Sequence, residues 1–308
     1  MTEQEENQKT AEPIEVSLEE DRHDRTLRHF GKDNFARLQG SNILVVGAGA
    51  IGNEFVKNLA LLGVREIRLV DFDIVSASNV NRCVFFRVRD AEERRPKVEV
   101  VKERVEEMSE TSVLTYNMRI EEAPEEVWED LDMIVVGVDN DYTRMLINAK
   151  AVTLTMEDRI VPVVNGAMGL TFVECEVLIP GVTACLTCLW TEQYKESLIK
   201  THVAKSCDEY FVEVVPKFPA ISTFTSVVSA IMAAEAIKLL TLPDTESRKD
   251  FVGIGYLIRH DLDKYEYTKG PVMRNMRCTE TFCRATFDKN TYKALWAREK
   301  DKTSPTAS

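Results

Sequence analysis

The chain has 308 residues, 44% hydrophobic and 29% charged, with a net charge of −12. That length supports one large core, and an acidic chain without a basic block excludes an electrostatic nucleic-acid binder. Seven cysteines follow an acidic, polar N-terminus with nothing like a secretion signal, which excludes a disulfide framework and points to the cytoplasm, where cysteine serves metals or catalysis.

Residues 1–20 hold seven Glu and one Lys and read as a disordered acidic tail. The folded part is expected over 21–284. "NILVVGAGAIGNEFVKNLALLGVREIRLVDFD" reads as strand, Gly-rich turn, helix and strand. The apolar run Ile43–Val46 suits a parallel strand buried on both faces. Phe55, Leu59 and Leu62 recur at helical spacing, and Gly63 ends that helix. "RRPKVEVVKERVEEM" predicts a second helix with Pro96 in its first turn and Val98, Val101, Val105 and Met108 on one face. "VLTYNM" and "LDMIVVGVDN" predict two more strands, so the order is that of a doubly wound, mostly parallel α/β sheet.

After residue 160 the texture changes. "VPVVNGAMGLTFVECEVLIPG" predicts strands interrupted by glycines. A polar stretch follows "CLTC", and residues 189–219 are expected to form a flexible crossover. The apolar stretch "TFTSVVSAIMAAEAIKLL" predicts a helix that Glu235 and Lys238 make too charged, and its length too short, to span a membrane easily. Alternation over 252–277 predicts a hairpin or meander, and residues 285–308 a polar tail.

Gly47, Gly49 and Gly52 form G-x-G-x-x-G between strand and helix, with Asp71 about 20 residues on at the next strand end. This is a nucleotide-binding pattern: glycine admits a phosphate close to the backbone, the helix offers amides, and the acid binds ribose hydroxyls. The motif alone does not separate a nicotinamide dinucleotide from ATP. "DFDIVSASNVNR" and "RPK" make that choice. They add Asp73, Asn79, Arg82 and Lys97, and cations beside the phosphates suit attack on the α-phosphate of ATP better than hydride transfer. Asp139 and Asn140 end another strand at the same sheet edge, where a carboxylate suits magnesium. Cys185 and Cys188 form C-x-x-C, and Cys278 and Cys283 form C-x-x-x-x-C. Brought together, the two pairs make a four-thiolate zinc site, against the alternatives of scattered core cysteines or a redox pair. Cys83 and Cys175 lie in apolar text and read as buried. Cys207, in "KSCDEY", stands apart in charged text, with Lys205 favouring its thiolate and Asp208 and Glu209 opposing it.

Over about residues 21–284 the chain resembles the ubiquitin-activating (ThiF/MoeB/HesA-type) adenylating superfamily. That superfamily also holds the bacterial adenylyltransferases serving thiamine and molybdopterin sulfur carriers. The text that carries the resemblance is "RHDRTLRHFG", "GAGAIGNE", "DFDIVSASNVNR", "RPKVE", "VDNDYTRMLIN", "PGVTACLTC", "AIMAAEAIKLL" and "RCTETFC", in that order. The resemblance implies a Rossmann-like fold in which Gly47, Gly49 and Gly52 surround the phosphates and Asp71 holds the ribose. It implies that Asp73, Asn79, Arg82 and Lys97 act around the triphosphate. Asp139 would bind magnesium, Asn140 would lie beside the nucleotide, and Asn117 near the adenine. Arg25 would cross to a partner's ATP site in a homodimer. Cys207 would take the acyl group from the adenylate as a thioester, for hand-over to a conjugating enzyme. The implied substrate is a ubiquitin-like protein ending in glycine. The alternatives are a sulfur-carrier adenylyltransferase without a thioester and a non-catalytic scaffold subunit of a heterodimer. Neither a fused ubiquitin-fold domain nor a rhodanese-like extension is expected.

Overall fold

The computed structural model describes residues 22–157, 161–180, 183–207, 220–241, 255–275, 278 and 283. The expected tails, 1–20 and 285–308, and residues 208–219 of the expected crossover lie outside the described residues. Among the described residues eight strands form one sheet: β1 (Asn42–Val46), β2 (Glu66–Val70), β3 (Ser112–Tyr116), β4 (Met133–Val136), β5 (Val163–Met168), β6 (Phe172–Leu178), β7 (Tyr256–Asp261) and β8 (Glu266–Pro271). Their order is β3-β2-β1-β4-β5-β6-β7-β8. The neighbours from β3 to β5 pair in parallel, and those from β5 to β8 pair antiparallel. The doubly wound reading therefore holds, with a parallel half continued by an antiparallel meander.

The helices are α1 (Asp24–Phe30), α2 (Lys32–Gln39), α3 (Ala50–Leu62), α4 (Val88–Glu92), α5 (Lys97–Met108), α6 (Asp141–Met156), α7 (Glu192–Cys207) and α8 (Ser222–Thr241). Every residue of β1 and β4 is buried, because helices cover both faces of the sheet. Side chains alternate along β1. Ile43 and Val45 join a cluster with Phe55, Val101, Met232 and Leu239, while Leu44 and Val46 join Ile134, Ile147 and Leu154 on the opposite face. The first face is covered by α3, α5 and α8, the second by α6.

The helix ends follow local chemistry. Gly63, at φ 77°, closes α3 in the left-handed conformation that a side chain resists. Pro96 sits at the N-cap of α5, one residue before the first turn expected for it. Asn140 caps α6, its Oδ1 accepting from the Thr143 amide at 2.8 Å.

By length and composition α8 is long and apolar enough to cross a membrane, contrary to the expectation that it is too short and too charged. Half of the apolar stretch is buried inside this fold. Its Glu235 accepts from the Tyr256 hydroxyl at 2.6 Å and pairs with Lys238 at 2.6 Å, so the charges are matched within the protein. Ser229 Oγ donates to the carbonyl of Ile51 at 3.0 Å, tying α8 to the start of α3.

Candidate functional site: a nucleotide cradle and a thiol cluster

Parallel register sets the rim of the site. Val46 lies opposite Val70 and Val136, and Val70 opposite Tyr116. The carboxyl ends of β1 to β4 are therefore level, and the loops that follow share one edge. The strand order reverses between β1 and β4, the place where open α/β sheets leave a crevice for ligands. Glycine is required at this point. Gly47 has φ 100° and lies so near the loop after β4 that a Cβ would stand 2.8 Å from the Gly137 carbonyl. A Cβ on Gly52 would stand 1.9 Å from the carbonyl of Gly47. Gly49 occupies the N-cap of α3, where no side chain caps the helix, so its first amides face the cradle as anion donors.

Asp71 ties the end of β2 to this loop. Its Oδ2 accepts from the Ala48 amide at 2.7 Å and its Oδ1 from the Asp73 amide at 2.8 Å. Burial raises its pKa, with Lys97 working in the opposite direction. Each oxygen keeps a further lone pair for a hydroxyl donor.

Lys97, the first residue of α5, is buried and places Nζ 2.6 Å from Asp73 Oδ2, while its amide donates to the Asp73 carbonyl at 3.0 Å. Burial disfavours its charge, but Asp71 and Asp73 outweigh that and raise its pKa, so the ammonium stays charged. Asn79 closes a short 3-10 turn, Ala77–Asn79, by accepting from the Ser76 amide at 2.9 Å. Arg82 is half-buried, and its guanidinium donates to the carbonyl of Ser78. Asn117, Asp139 and Asn140 are exposed at the ends of β3 and β4. Arg25 is exposed on α1.

Hydrogen bonds thus join Asp71, Asp73 and Lys97 to the glycine loop through the Ala48 amide, and sheet register brings Asn117, Asp139 and Asn140 to the same rim. Sequence reasoning assigned no role to Asn53. Its side chain is fully buried, donates to the carbonyls of Ala48 at 2.8 Å and Gly49 at 3.2 Å, and accepts from the Phe85 amide at 3.1 Å. A buried amide one residue after the glycine motif was its signal.

The cysteines form the second constellation. Cys185, Cys188, Cys278 and Cys283 are buried, with their sulfurs all within 4.8 Å of one another. Cys185 Sγ lies 3.7 Å from Cys188 Sγ and 3.6 Å from Cys278 Sγ, and Cys188 Sγ lies 3.8 Å from Cys283 Sγ. A disulfide needs about 2.05 Å. Four sulfurs at about 2.3 Å from a tetrahedral ion stand about 3.8 Å apart, so these spacings fit zinc. Hydrogen bonds from Cys185 and the other neighbours push the Cys278 thiol far toward thiolate. The amide of Cys188 donates to the Cys185 carbonyl at 3.0 Å, which makes C-x-x-C a ligand-ready turn.

Cys83 and Cys175 are buried as expected, and burial raises both thiols, Cys83 to about 11. Cys207 is the last residue of α7; its side chain lies outside the described atoms.

Comparisons with known proteins bear on the family and the fold. The NEDD8-activating enzyme E1 catalytic subunit of Caenorhabditis elegans is 34% identical over 168 residues, covering 51% of this chain and 38% of that protein. The chain thus spans well under half the length of that relative. The sulfur carrier protein adenylyltransferase of Thermus thermophilus is 29% identical over 264 residues, 82% of this chain and 86% of that protein. Among solved structures, E. coli MccB with ATP shares the fold at a TM-score of 0.64 and 22% identity, over 85% of this chain and 74% of that one. The model of the ThiF family matches residues 22–278, a span that takes in the glycine cradle, Asp71, Lys97 and the first three cysteines of the cluster. The chain belongs to the ThiF family.

Proposed function

We propose that this protein uses ATP to adenylate the C-terminal glycine of a ubiquitin-like protein. The observation that carries the reading is the Asp71–Lys97–Asp73 cluster against the glycine crossing of β1 and β4. In this cluster the Lys97 ammonium is kept charged by Asp71 and Asp73, close to the free amides that open α3.

Gly47, Gly49 and Gly52 line the phosphates, Asp71 holds the ribose, and Asn117 and Asn140 flank the nucleoside. Asp139 would hold magnesium, whose charge would neutralise the phosphate oxygens. A substrate carboxylate oxygen attacks the α-phosphorus, and the bond to pyrophosphate breaks. Lys97, Arg82 and, across a homodimer interface, Arg25 of the partner copy offset the developing charge. Asp73 fixes Lys97, and Asn79 holds the turn that presents Arg82. The Cys207 thiolate then attacks the acyl carbon and AMP leaves, giving a thioester that a conjugating enzyme accepts. Zinc on Cys185, Cys188, Cys278 and Cys283 is structural, because four protein ligands leave no open position. One adenylation domain over 21–284, with 189–219 as crossover, carries the chemistry, and thiolate ligands suit a reducing cytoplasm.

A second reading, a sulfur-carrier adenylyltransferase without the thioester, draws support from the Thermus relative, whose match covers most of both chains. The scaffold alternative is disfavoured by the intact Lys97–Asp73 pair.

The deciding experiment incubates the protein with Mg·ATP and ubiquitin-like or sulfur-carrier proteins ending in glycine. Pyrophosphate release that Lys97→Ala abolishes is expected, with an ATP-dependent, reductant-sensitive adduct on a non-reducing gel that Cys207→Ala removes. Pyrophosphate release without an adduct selects the second reading. No ATP turnover with any carrier sinks both.

A further inference from the structure

Arg144 takes no part in the function proposed above. It lies in the first turns of α6, and its side chain is 8% exposed. Its Nη2 donates to the Val138 carbonyl at 2.6 Å and to the Gly166 carbonyl at 3.0 Å. Its Nη1 donates to Asn165 Oδ1, and its Nε faces Asp141 Oδ1 at 3.3 Å. The Val138 carbonyl belongs to the peptide that leads into Asp139. One rigid, planar fork therefore joins the loop after β4 to the middle of β5 and grips the backbone immediately before the candidate magnesium ligand.

The fork is itself held at both ends. On the inner side, Asn165 Nδ2 donates to Glu176 Oε2 at 2.6 Å. On the outer side, the second oxygen of Asp141 accepts from the Tyr194 hydroxyl at 2.5 Å. Tyr194 belongs to α7, on which only Lys195 is buried between Glu192 and Thr201. Its hydroxyl is thus a main tie between that helix and the rim, with the Trp190 ring edge-on at 5.7 Å. The buried guanidinium is charge-matched by Asp141 and hydrogen-bonded to Asn165, so its orientation is fixed by charge as well as by hydrogen bonds.

We infer that Arg144 is a positioning residue for adenylation: supported by Asp141 and Tyr194, it holds the Asp139 peptide where magnesium and nucleotide meet it. The inference rests on the reading of Asp139 as the magnesium ligand. A mere fold staple would alter stability without touching the metal requirement. A positioning residue alters the metal requirement in particular, because the Asp139 carboxylate pays its ordering cost anew whenever the carbonyl before it is loose.

The test is calorimetric binding of ATP to the full chain across a magnesium chloride series and in EDTA. The variants are Tyr194→Phe, which removes one outer hydroxyl from a 40% exposed side chain, and Arg144→Lys, which keeps the charge and loses the fork. Half-saturating magnesium is expected to rise about 3-fold in Tyr194→Phe and about 10-fold in Arg144→Lys, with ATP affinity in EDTA unchanged. Unaltered magnesium dependence in Tyr194→Phe overturns the inference even if Arg144→Lys fails to fold. So does an equal loss of ATP affinity with and without magnesium. Wild-type protein that binds ATP with no magnesium dependence removes the Asp139 reading, and this inference with it. Wild-type protein that binds no ATP removes the adenylation reading as a whole.

Discussion

The glycine cradle and the thiol cluster solve the same problem, holding loops in place at the edge of a sheet, by opposite means. The cradle is made of backbone: Gly47, Gly52 and Gly137 let main chains touch, and its partners Asp71 and Lys97 follow within about one βαβα unit. The cluster is made of side chains, with Cys185 and Cys278 meeting across 93 positions of sequence. The first region takes its order from packing beneath it, where every residue of β1 and β4 is buried. The second takes its order from a small satellite core of Val152, Leu178, Ala184, Leu186 and Val272, and in our reading from a metal. A large close-packed core resists any change of volume, whereas a small core relies on its staple for stability.

That contrast breaks first at the staple. Cys278→Ser is expected to reduce bound zinc from one ion per chain to none, by elemental analysis. Because structural zinc supplies roughly 10–16 kcal/mol of apparent binding energy, melting should fall by ~10 °C or more. A variant that keeps its melting temperature would show that the satellite core alone suffices.

Gly52→Ala tests the cradle. Its new methyl group meets backbone at 1.9 Å, which no rotamer relieves. We expect a loss of roughly 3 kcal/mol in denaturant unfolding, with ATP binding abolished and zinc content unchanged. Unchanged zinc separates the two regions; loss of zinc would join them.

Glu176 lies between them, on β6. Burial, opposed by Arg144 and Asn165, raises its pKa to about 7. The folded protein therefore binds this proton more tightly than the unfolded chain does. The sign follows: stability falls as pH rises from the ordinary carboxyl range to about 7 and levels off above it. The full span is about 3 kcal/mol. Comparing denaturation midpoints of wild type and Glu176→Gln from pH 5 to 8 isolates this slope, which should vanish in the variant. A parallel slope in both proteins would assign the effect elsewhere.

The smallest effect is expected at Ser229→Ala, which removes one buried hydrogen bond to Ile51. About 1 kcal/mol should disappear from unfolding, with nucleotide binding intact. A larger loss would mean that α8 supports the cradle directly.

What could be read from sequence tracks how far apart in the chain the cooperating groups lie. The glycine motif, Asp71 and Lys97 are local, and strand, turn and helix periodicity placed them correctly. The cysteine pairs were visible as pairs, but their meeting depends on how β7 and β8 return the chain to the loop after β6. Arg144 was read only as part of a motif, because an arginine in the first turns of a helix looks like a solvated charge. Its partners, Gly166 and Asn165 on β5 and Glu176 through Asn165, come alongside only once the strand order is known. The same limit affected α8. Glu235 reads from sequence as a bar to membrane crossing, and it is buried within the fold because Tyr256, 21 positions later, supplies its hydroxyl.

The position of α8 also governs how this protein is made. Ser229 reaches Ile51 across 178 residues of chain. The face of α3 that α8 covers therefore leaves the ribosome uncovered and stays so while the intervening chain is synthesised, on the order of ten to thirty seconds at ordinary elongation rates. Throughout that interval Ile51 and Glu54 lack their partners Ser229 and Ser226, and apolar surface left open in this way makes an incomplete chain prone to aggregate.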